Sequence, residues 1–256
     1  MLRCRSDGML PYELMAIVYD DLTDDIDYDE WYDHVKHQLI DMKIKPYKVL
    51  EIGSGTGNMT RRLVDDGLHV TVVEPSEAML SVLQEKMVEN MGKMQFFNGP
   101  IATFKSKQRF DVCMAFLDVV NYIEEGELDA FFARVHEQLC AAGVFVLDWS
   151  TPYKLREVIG QNTFSENHDD FAYIWENDYV EEDKTLYFDF VMFTELENGT
   201  FERHIETHRQ FAHDLDTIIR YASKYFEVVS IFGDHHHDPS EKDHRVHLYL
   251  RALEEL

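Results

Sequence analysis

The chain has 256 residues, 45% of them hydrophobic, which is enough to bury a sizeable core and excludes disorder as the expected state. Its 24 basic and 49 acidic residues give a formal net charge of -25, which repels nucleic-acid phosphates and disfavours that class of partner. The basic stretches, such as Lys43 to Lys48 and Arg61 to Arg62, hold only two or three cations each, so we expect solvated faces there.

The three cysteines, Cys4, Cys113 and Cys140, are widely spaced and include no Cys-x-x-Cys pair. We therefore expect reduced structural thiols and no metal. The start of the chain lacks the apolar run of a signal peptide, and no stretch approaches the roughly 18 apolar residues of a membrane span. The sequence predicts a cytoplasmic protein without a membrane partner, and a homodimer is compatible with it.

Residues 10–46 carry apolar positions at helical spacing, which predicts two amphipathic helices ahead of the main domain. The apolar positions are Leu14, Ile17 and Val18 in the first helix and Trp31, Val35 and Leu39 in the second.

From residue 47 to residue 150, short apolar strands alternate with helical patterns, which is typical of a parallel sheet covered on both faces. The predicted strands are Val49 to Ile52, Val70 to Val73, Gln95 to Phe97, Phe110 to Phe116 and Val144 to Leu147. The predicted helices carry Met79, Leu80, Leu83 and Met87, and Leu128, Phe131, Phe132, Val135 and Leu139.

The alternation stops in residues 151–211, which hold three extended, aromatic-rich segments separated by turn-prone residues. These segments are Phe171 to Val180, Thr185 to Glu195 and Phe201 to Phe211. We expect an antiparallel β insertion there, whose aromatic side chains mostly pack the hairpins on the main sheet. Residues 212–256 return to the main domain, with a helix over Leu215 to Ser223 and closing strands over Phe226 to Phe232 and Val246 to Leu250.

The first predicted strand runs directly into Gly53, Gly55 and Gly57. Glycine is needed where the backbone turns sharply with positive φ and where a ligand approaches closer than a Cβ permits. A dinucleotide fingerprint would require glycine or alanine at position 58, where this chain has Asn58, so the nicotinamide interpretation is weakened.

Two acidic residues sharpen the interpretation of this turn. Glu51 lies two residues before Gly53, where a carboxylate suits a cationic amino-acid moiety better than a pyrophosphate. Glu74, at the end of the second strand, is placed to accept hydrogen bonds from two ribose hydroxyls. A cationic, ribose-bearing cofactor fits both carboxylates.

These motifs resemble those of class I S-adenosylmethionine-dependent methyltransferases, in which an acidic residue precedes Gly-x-Gly-x-Gly and a second acid binds ribose. The resemblance is closest to small bacterial methyltransferases, which share Tyr19-Asp20, Pro152-Tyr153-Lys154 and the β insertion. It implies an α/β fold: a three-layer, Rossmann-like sheet of seven strands, the last antiparallel, plus the antiparallel insertion. It also implies S-adenosylmethionine as cofactor and S-adenosylhomocysteine as product.

The resemblance further implies a set of cofactor-binding residues. An aspartate that many members use for adenine is replaced by Pro100, so adenine recognition is expected to rest on backbone groups and Ile101. The residues implied to bind the cofactor are Tyr19, Glu51, Gly53, Ser54, Gly55, Gly57, Glu74, Pro75, Ile101 and Asp118.

A general base is needed only for a hydroxyl or a protonated amine, since a sulfonium methyl donor is already activated. His208, with Glu206 on the same face of its predicted strand, is the first choice for this base. The tract Asp234 to Asp238 holds three adjacent histidines, but neighbours in an extended chain point in alternate directions, so a polar loop is expected and no metal.

The sequence leaves three functions open. A small-molecule acceptor that receives the methyl group by direct in-line transfer is the leading hypothesis, because the acidic surface disfavours RNA and DNA. The alternatives are modification of a tRNA base and binding of S-adenosylmethionine without catalysis. The 151–211 insertion is expected to shape the acceptor site, and residues 10–46 to cover the cofactor.

Overall fold

A computed structural model describes residues 12–169 and 171–254 of the chain. Cys4 and the first two residues of the predicted 10–46 unit lie outside these ranges, as do the last two residues of the 212–256 unit. The helices are α1 (Tyr19–Leu22), α2 (Tyr28–Asp41), α3 (Asn58–Asp65), α4 (Glu77–Lys86), α5 (Leu128–Gln138) and α6 (Leu215–Ala222). No helix in these ranges has the length and apolar character that crossing a bilayer requires.

Seven strands form the main sheet, in the order β10-β11-β5-β4-β1-β2-β3. Their bounds are β1 (Lys48–Ile52), β2 (His69–Glu74), β3 (Met94–Asn98), β4 (Phe110–Ala115), β5 (Leu139–Ser150), β10 (Phe226–Phe232) and β11 (Arg245–Ala252). The strands β1 to β5 pair in parallel, whereas β11 runs antiparallel to both β5 and β10. The predicted fold class is confirmed.

Burial on both faces explains why the central strands are continuous apolar runs. Leu50 and Val49 on β1 alternate between the two faces and are both fully buried, one in each of the two core clusters that flank the sheet. Because the carboxyl ends of parallel strands meet at one edge, the loops after β1, β2 and β4 lie together.

A second, antiparallel sheet has the order β6-β7-β8-β9. Its strands are β6 (Thr163–Asn167), β7 (Phe171–Val180), β8 (Thr185–Glu195) and β9 (Phe201–Phe211). The three predicted extended segments match β7, β8 and β9. One face of this sheet packs on the segment before α1, through Leu14, Met15 and Val18. The insertion's core is therefore completed by the N-terminal segment. Among the described residues, no strand of the main sheet contributes to this cluster, so the expectation that the aromatic side chains pack on the main sheet was wrong.

Three expectations about secondary structure were also wrong. Residues 15–22 form a short 3-10 turn followed by the four-residue α1, so Ile17 points outward and is 70% exposed. The strand β6 was missed because all five of its residues are exposed and give no alternating pattern. Leu139, predicted as the last apolar position of a helix, begins β5, which has an irregular register against β4 before Val144.

The amino ends of β1, β3 and β4 carry a group of cations that are separated from one another in the sequence. Among the described residues, none of these cations is within ion-pair distance of a carboxylate. We call this group the basic edge, and its members are Lys43, Lys45, Lys48, Lys93, Lys105, Lys107 and Arg109. The parallel topology gathers them at the edge opposite to the glycine turn.

Candidate active site

The glycine turn after β1 adopts a backbone that other residues tolerate poorly. Gly53, Gly55 and Gly57 have φ values of 69°, 55° and 90°. A Cβ on Gly57 would lie 2.8 Å from Cγ of Leu83, and one on Gly53 would lie 2.4 Å from Cγ2 of Val119. Glycine is therefore required by local packing as well as by backbone conformation, and α3 starts directly at residue 58.

Glu74, at the end of β2, is hydrogen-bonded to this turn. One carboxylate oxygen accepts from the Gly55 N–H at 3.0 Å and the other from the Ser76 N–H at 3.0 Å. Burial raises the pKa of Glu74, although both backbone donors oppose the shift. The two oxygens are thus held in fixed positions at the cavity, with lone pairs left for further donors.

Asp20 fastens α1 to the glycine turn. Its carboxylate accepts hydrogen bonds from Thr56 Oγ1 at 2.6 Å and Asn58 Nδ2 at 3.0 Å, and it pairs with Lys86. The side chain of Asn58, the residue that argues against a dinucleotide, therefore has a structural role. This clamp places Tyr19 over Gly55, with Tyr19 Cε1 3.5 Å from the position of a Cβ on that glycine.

A cavity of about 330 Å³ lies between the strand ends and the N-terminal segment, within the range of small-ligand sites. Six of the ten predicted cofactor residues line it, namely Tyr19, Gly53, Gly55, Glu74, Pro75 and Ile101. The other lining residues are Tyr12, Ile52, Val73, Met79, Pro100, Leu117, Val119, Tyr122 and Ile123. Most of the lining side chains are apolar, and Glu74 is the charged residue among them.

A smaller recess adjoins this cavity and holds Glu51 and Ser54. The Glu51 carboxylate accepts from Thr60 Oγ1 at 2.6 Å, and burial raises its pKa to about 8, with the Thr60 hydrogen bond opposing that shift. Ser54 Oγ is buried without a hydrogen-bond partner in the described residues. A carboxyl group that lacks a cation and a hydroxyl that lacks a partner fit the ammonium and carboxylate of an amino-acid moiety.

The remaining two predicted cofactor residues do not line the main cavity. Gly57 lies deeper, against Leu83. Asp118, on the loop after β4, accepts from Ser150 Oγ at 2.7 Å and pairs with Arg245 at 2.8 Å. Burial alone would raise the pKa of Asp118, but the charges of Arg245 and Lys154 outweigh it and hold the pKa at about 2.

Arg245 was not anticipated from the sequence. Its guanidinium also donates to Asp148 at 2.7 Å, and the same Asp148 oxygen accepts from the Leu117 N–H at 2.9 Å. Arg245 thereby ties β11, the end of β5 and the loop after β4 together. It thereby holds in place the loop after β4, whose residues Leu117 and Val119 line the cavity.

His208 is fully buried on β9 and does not itself reach the cavity. Its ring stacks on Phe188, its cross-strand partner on β8, at 4.4 Å between ring centres. Its ring nitrogens contact Glu206 Oε1 at 2.5 Å and the Tyr122 hydroxyl at 2.8 Å. Tyr122 lines the cavity, and it is the residue that sequence analysis missed here.

The histidine tract lies in the polar connection between β10 and β11, and it contacts α2. Residues 234–236 form a 3-10 turn, and the His236 ring stacks on His34 at 3.6 Å. In the described ranges, no three His, Cys, Asp or Glu side chains are grouped so as to hold a metal ion.

A seven-stranded sheet with this glycine turn and an acid ending its second strand defines the class I S-adenosylmethionine-dependent methyltransferases. A family model described as a methyltransferase domain matches residues 49–143. A protein of Geobacillus sp. (strain WCH70) named as a methyltransferase is 30% identical over 246 residues, covering 93% of this chain and 98% of the relative. The chain belongs to this methyltransferase family, and S-adenosylmethionine is its cofactor.

Solved structures show the same fold. An S-adenosylmethionine-dependent methyltransferase from Clostridium acetobutylicum ATCC 824 matches with a TM-score of 0.84 and 24% identity, covering 94% of this chain and 98% of that one. CalS10, an amino pentose methyltransferase from Micromonospora echinaspora with S-adenosylmethionine bound, matches with a TM-score of 0.70 and 16% identity, covering 95% and 99%.

Proposed function

We propose that the enzyme methylates a small molecule by direct in-line transfer. The observation that carries this proposal is the aromatic lining of the cavity. Tyr12 and Tyr19 of the N-terminal segment and Tyr122 of the loop after β4 line it together with residues at the strand ends. An acceptor must fit between these aromatic side chains, which suits a small molecule better than a nucleotide within a folded polymer.

The cofactor orientation follows from the chemistry of the lining. Glu74 would accept hydrogen bonds from the two ribose hydroxyls, and the adenine ring would lie in the apolar part of the cavity beside Pro100 and Ile101. Glu51 would hold the ammonium group in the recess, with Ser54 donating to the carboxylate. The reactive methyl group would then face Tyr12 and Tyr122.

The bound donor supplies an activated methyl group, so the main task of the protein is alignment, which contributes about 7–11 kcal/mol in well-oriented reactions. The rigid anchors of the site are the glycine turn, the Asp20 clamp and the Arg245 network. The N-terminal segment and the four-stranded sheet complete the acceptor side. A role in amino-sugar methylation is supported by the shared fold with the amino pentose methyltransferase.

The acceptor class is tested by incubating the protein with donor labelled in the methyl group, separately with a fractionated metabolite extract and with total tRNA. We expect label in a small-metabolite fraction and none in tRNA. Label in tRNA would overturn the small-molecule proposal. Binding of S-adenosylhomocysteine without label in any pool would identify a non-catalytic binding protein.

The cofactor site is tested separately, by calorimetry with S-adenosylhomocysteine. Replacing Glu74 with alanine removes charge-assisted hydrogen bonds worth about 1.5–3 kcal/mol, so affinity should fall about ten- to a hundredfold. Glu77→Ala is the matched control, because Glu77 is exposed on the next turn and does not line the cavity. Equal affinity of Glu74→Ala and wild type would refute the ribose assignment.

A further inference from the structure

A buried chain of hydrogen bonds connects the N-terminal segment to the cavity wall through β9. At its inner end, the Glu206 carboxylate accepts from the backbone N–H groups of Tyr12 at 2.5 Å, Leu14 at 2.5 Å and Met15 at 3.3 Å. The next contact joins Glu206 Oε1 to His208 Nε2 at 2.5 Å, and the last joins His208 Nδ1 to the Tyr122 hydroxyl at 2.8 Å.

The direction of these hydrogen bonds depends on the tautomer of His208. A carboxylate at Glu206 can only accept, which would place a proton on Nε2 of His208. In a neutral imidazole the other nitrogen is then an acceptor, and Nδ1 receives the Tyr122 O–H. The side chains of His208 and Glu206 are 0% and 1% exposed, so water does not compete for these positions.

Tyr122 is the only member of this chain of three side chains that lines the cavity. With its hydroxyl proton directed to His208, the Tyr122 oxygen is an acceptor, and the side chains of Tyr12 and Gln210 hydrogen-bond to it. A molecule in the cavity that donates to this oxygen takes the place of one of these two partners. Burial raises the pKa of Tyr122 well above the usual value for tyrosine. Tyr122 is therefore suited to pass a proton on and is poorly suited to remain a phenolate.

We propose that Tyr122, His208 and Glu206 form a proton relay that takes the proton released by the acceptor during methyl transfer. The inference rests on the proposed function and adds to it the class of acceptor. The nucleophile carries a proton that must be lost, as a hydroxyl or an amine does, which excludes a thioether. Tyr122 is the catalytic residue of the relay, and His208 and Glu206 act through it.

The atoms and charges of the step balance. The nucleophile bonds to the methyl carbon as the carbon–sulfur bond breaks, and the bonding pair stays on sulfur. The nucleophile's proton moves to the Tyr122 oxygen, while the Tyr122 proton moves to Nδ1 of His208. One positive charge disappears from sulfur and one appears on the imidazolium, where the Glu206 carboxylate stabilises it.

The same hydrogen bonds would also exist if Glu206 served only to hold the N-terminal segment in place. The two roles differ in what Tyr122 does. If Glu206 only held the N-terminal segment, the Tyr122 hydroxyl would not be needed for activity. The relay, in contrast, requires that hydroxyl. Tyr122→Phe is the informative variant, since it removes one oxygen and keeps the ring.

The first measurement is the protonation state of His208, read from nitrogen-15 spectra of labelled protein with and without S-adenosylhomocysteine. The relay requires the neutral tautomer with the proton on Nε2, and Tyr122→Phe should shift the Nδ1 resonance. A proton on Nδ1 in the wild type would overturn the relay. This readout does not depend on turnover.

The second measurement is the pH profile of methyl transfer to the acceptor fraction identified with labelled donor. Tyr122→Phe should lower kcat about 10²- to 10⁴-fold near neutral pH, with the deficit shrinking as pH rises and the acceptor deprotonates in solution. Affinity for S-adenosylhomocysteine should change less than about threefold. Glu206→Gln should also lower kcat, because the imidazolium loses its counter-charge.

Tyr221→Phe is the control for loss of a tyrosine hydroxyl, because Tyr221 lies on α6 and does not line the cavity. Wild-type activity and an unchanged pH profile in Tyr122→Phe would overturn the relay while leaving the proposed function intact. A wild-type protein that binds S-adenosylhomocysteine but labels no acceptor would overturn both.

Discussion

Glu51 allows the cofactor site to be tested through protein stability, without a substrate. Glu51 is 4% exposed, its carboxyl group accepts a hydrogen bond from Thr60, and burial raises its pKa from 4.5 to about 8. Glu51→Gln keeps the shape and the ability to accept from Thr60, and it removes the proton that titrates. The perturbation therefore isolates the energetic effect of burying this carboxyl group.

The expected effect has a definite sign. Between pH 4.5 and about 8, Glu51 is protonated in the folded, ligand-free protein and ionised in the unfolded chain. The folded state then binds more protons, so the free energy of unfolding falls as pH rises, by up to about 1.4 kcal/mol per pH unit. Glutamine has no such dependence. From pH 5.5 to 7.5 the stability advantage of Glu51→Gln should therefore grow by about 2–3 kcal/mol.

The assay is urea unfolding of both proteins without ligand at pH 5.5, 6.5 and 7.5, with exposed Glu77→Gln as the control for a surface glutamate. Parallel pH dependences for wild type and Glu51→Gln would refute the reasoning, since the titration of other groups cancels in the comparison. The same carboxyl group should release close to one proton when S-adenosylhomocysteine binds at pH 7. Calorimetry in buffers of different ionisation enthalpy measures that release.

Two further variants test packing around the site. In urea titrations, Gly57→Ala should lower the unfolding free energy by about 1–3 kcal/mol more than Gly67→Ala does. Both glycines have positive φ, but only Gly57 would place its Cβ against Leu83. Equal losses of unfolding free energy in the two variants would contradict this. Arg245→Met should cost about 3–5 kcal/mol by leaving Asp118 and Asp148 buried without the cation that pairs directly with both. That loss should be larger at pH 8 than at pH 5 in the same titrations, and a pH-independent loss would show that the charges are not its cause.

Short-range features of the fold were predictable because the residues that form them are close together in the sequence. The apolar strand, the glycine turn and Glu74 lie within 27 residues, and their order alone implies that they meet at one edge of a parallel sheet. The single misplaced apolar residue of the N-terminal segment, Ile17, has a physical reason. One turn of 3-10 helix changes the angular spacing on which the amphipathic pattern depends.

Long-range partners were not predictable from spacing. Arg245 reaches Asp118 and Asp148 only because β11 inserts between β10 and β5, a pairing between residues 97 or more positions apart in the chain. The contact of Tyr122 with His208 likewise depends on how the four-stranded sheet is seated on the loop after β4. The sequence could nominate His208 as a base, but the cavity-facing group is Tyr122, 86 positions away.

The basic edge gives the molecule an electrical polarity that its net charge of -25 hides. Cations that form no ion pair among the described residues lie at the amino ends of the strands, and the acids Glu51 and Glu74 lie at the carboxyl ends. The potential therefore becomes more negative toward the cavity once Glu51 has released its proton on binding a cation. The donor carries a positive sulfur into that field, and the product leaves with a neutral one. Methyl transfer thus removes the charge by which the donor is attracted, and the enzyme's own field favours exchange of product for fresh donor.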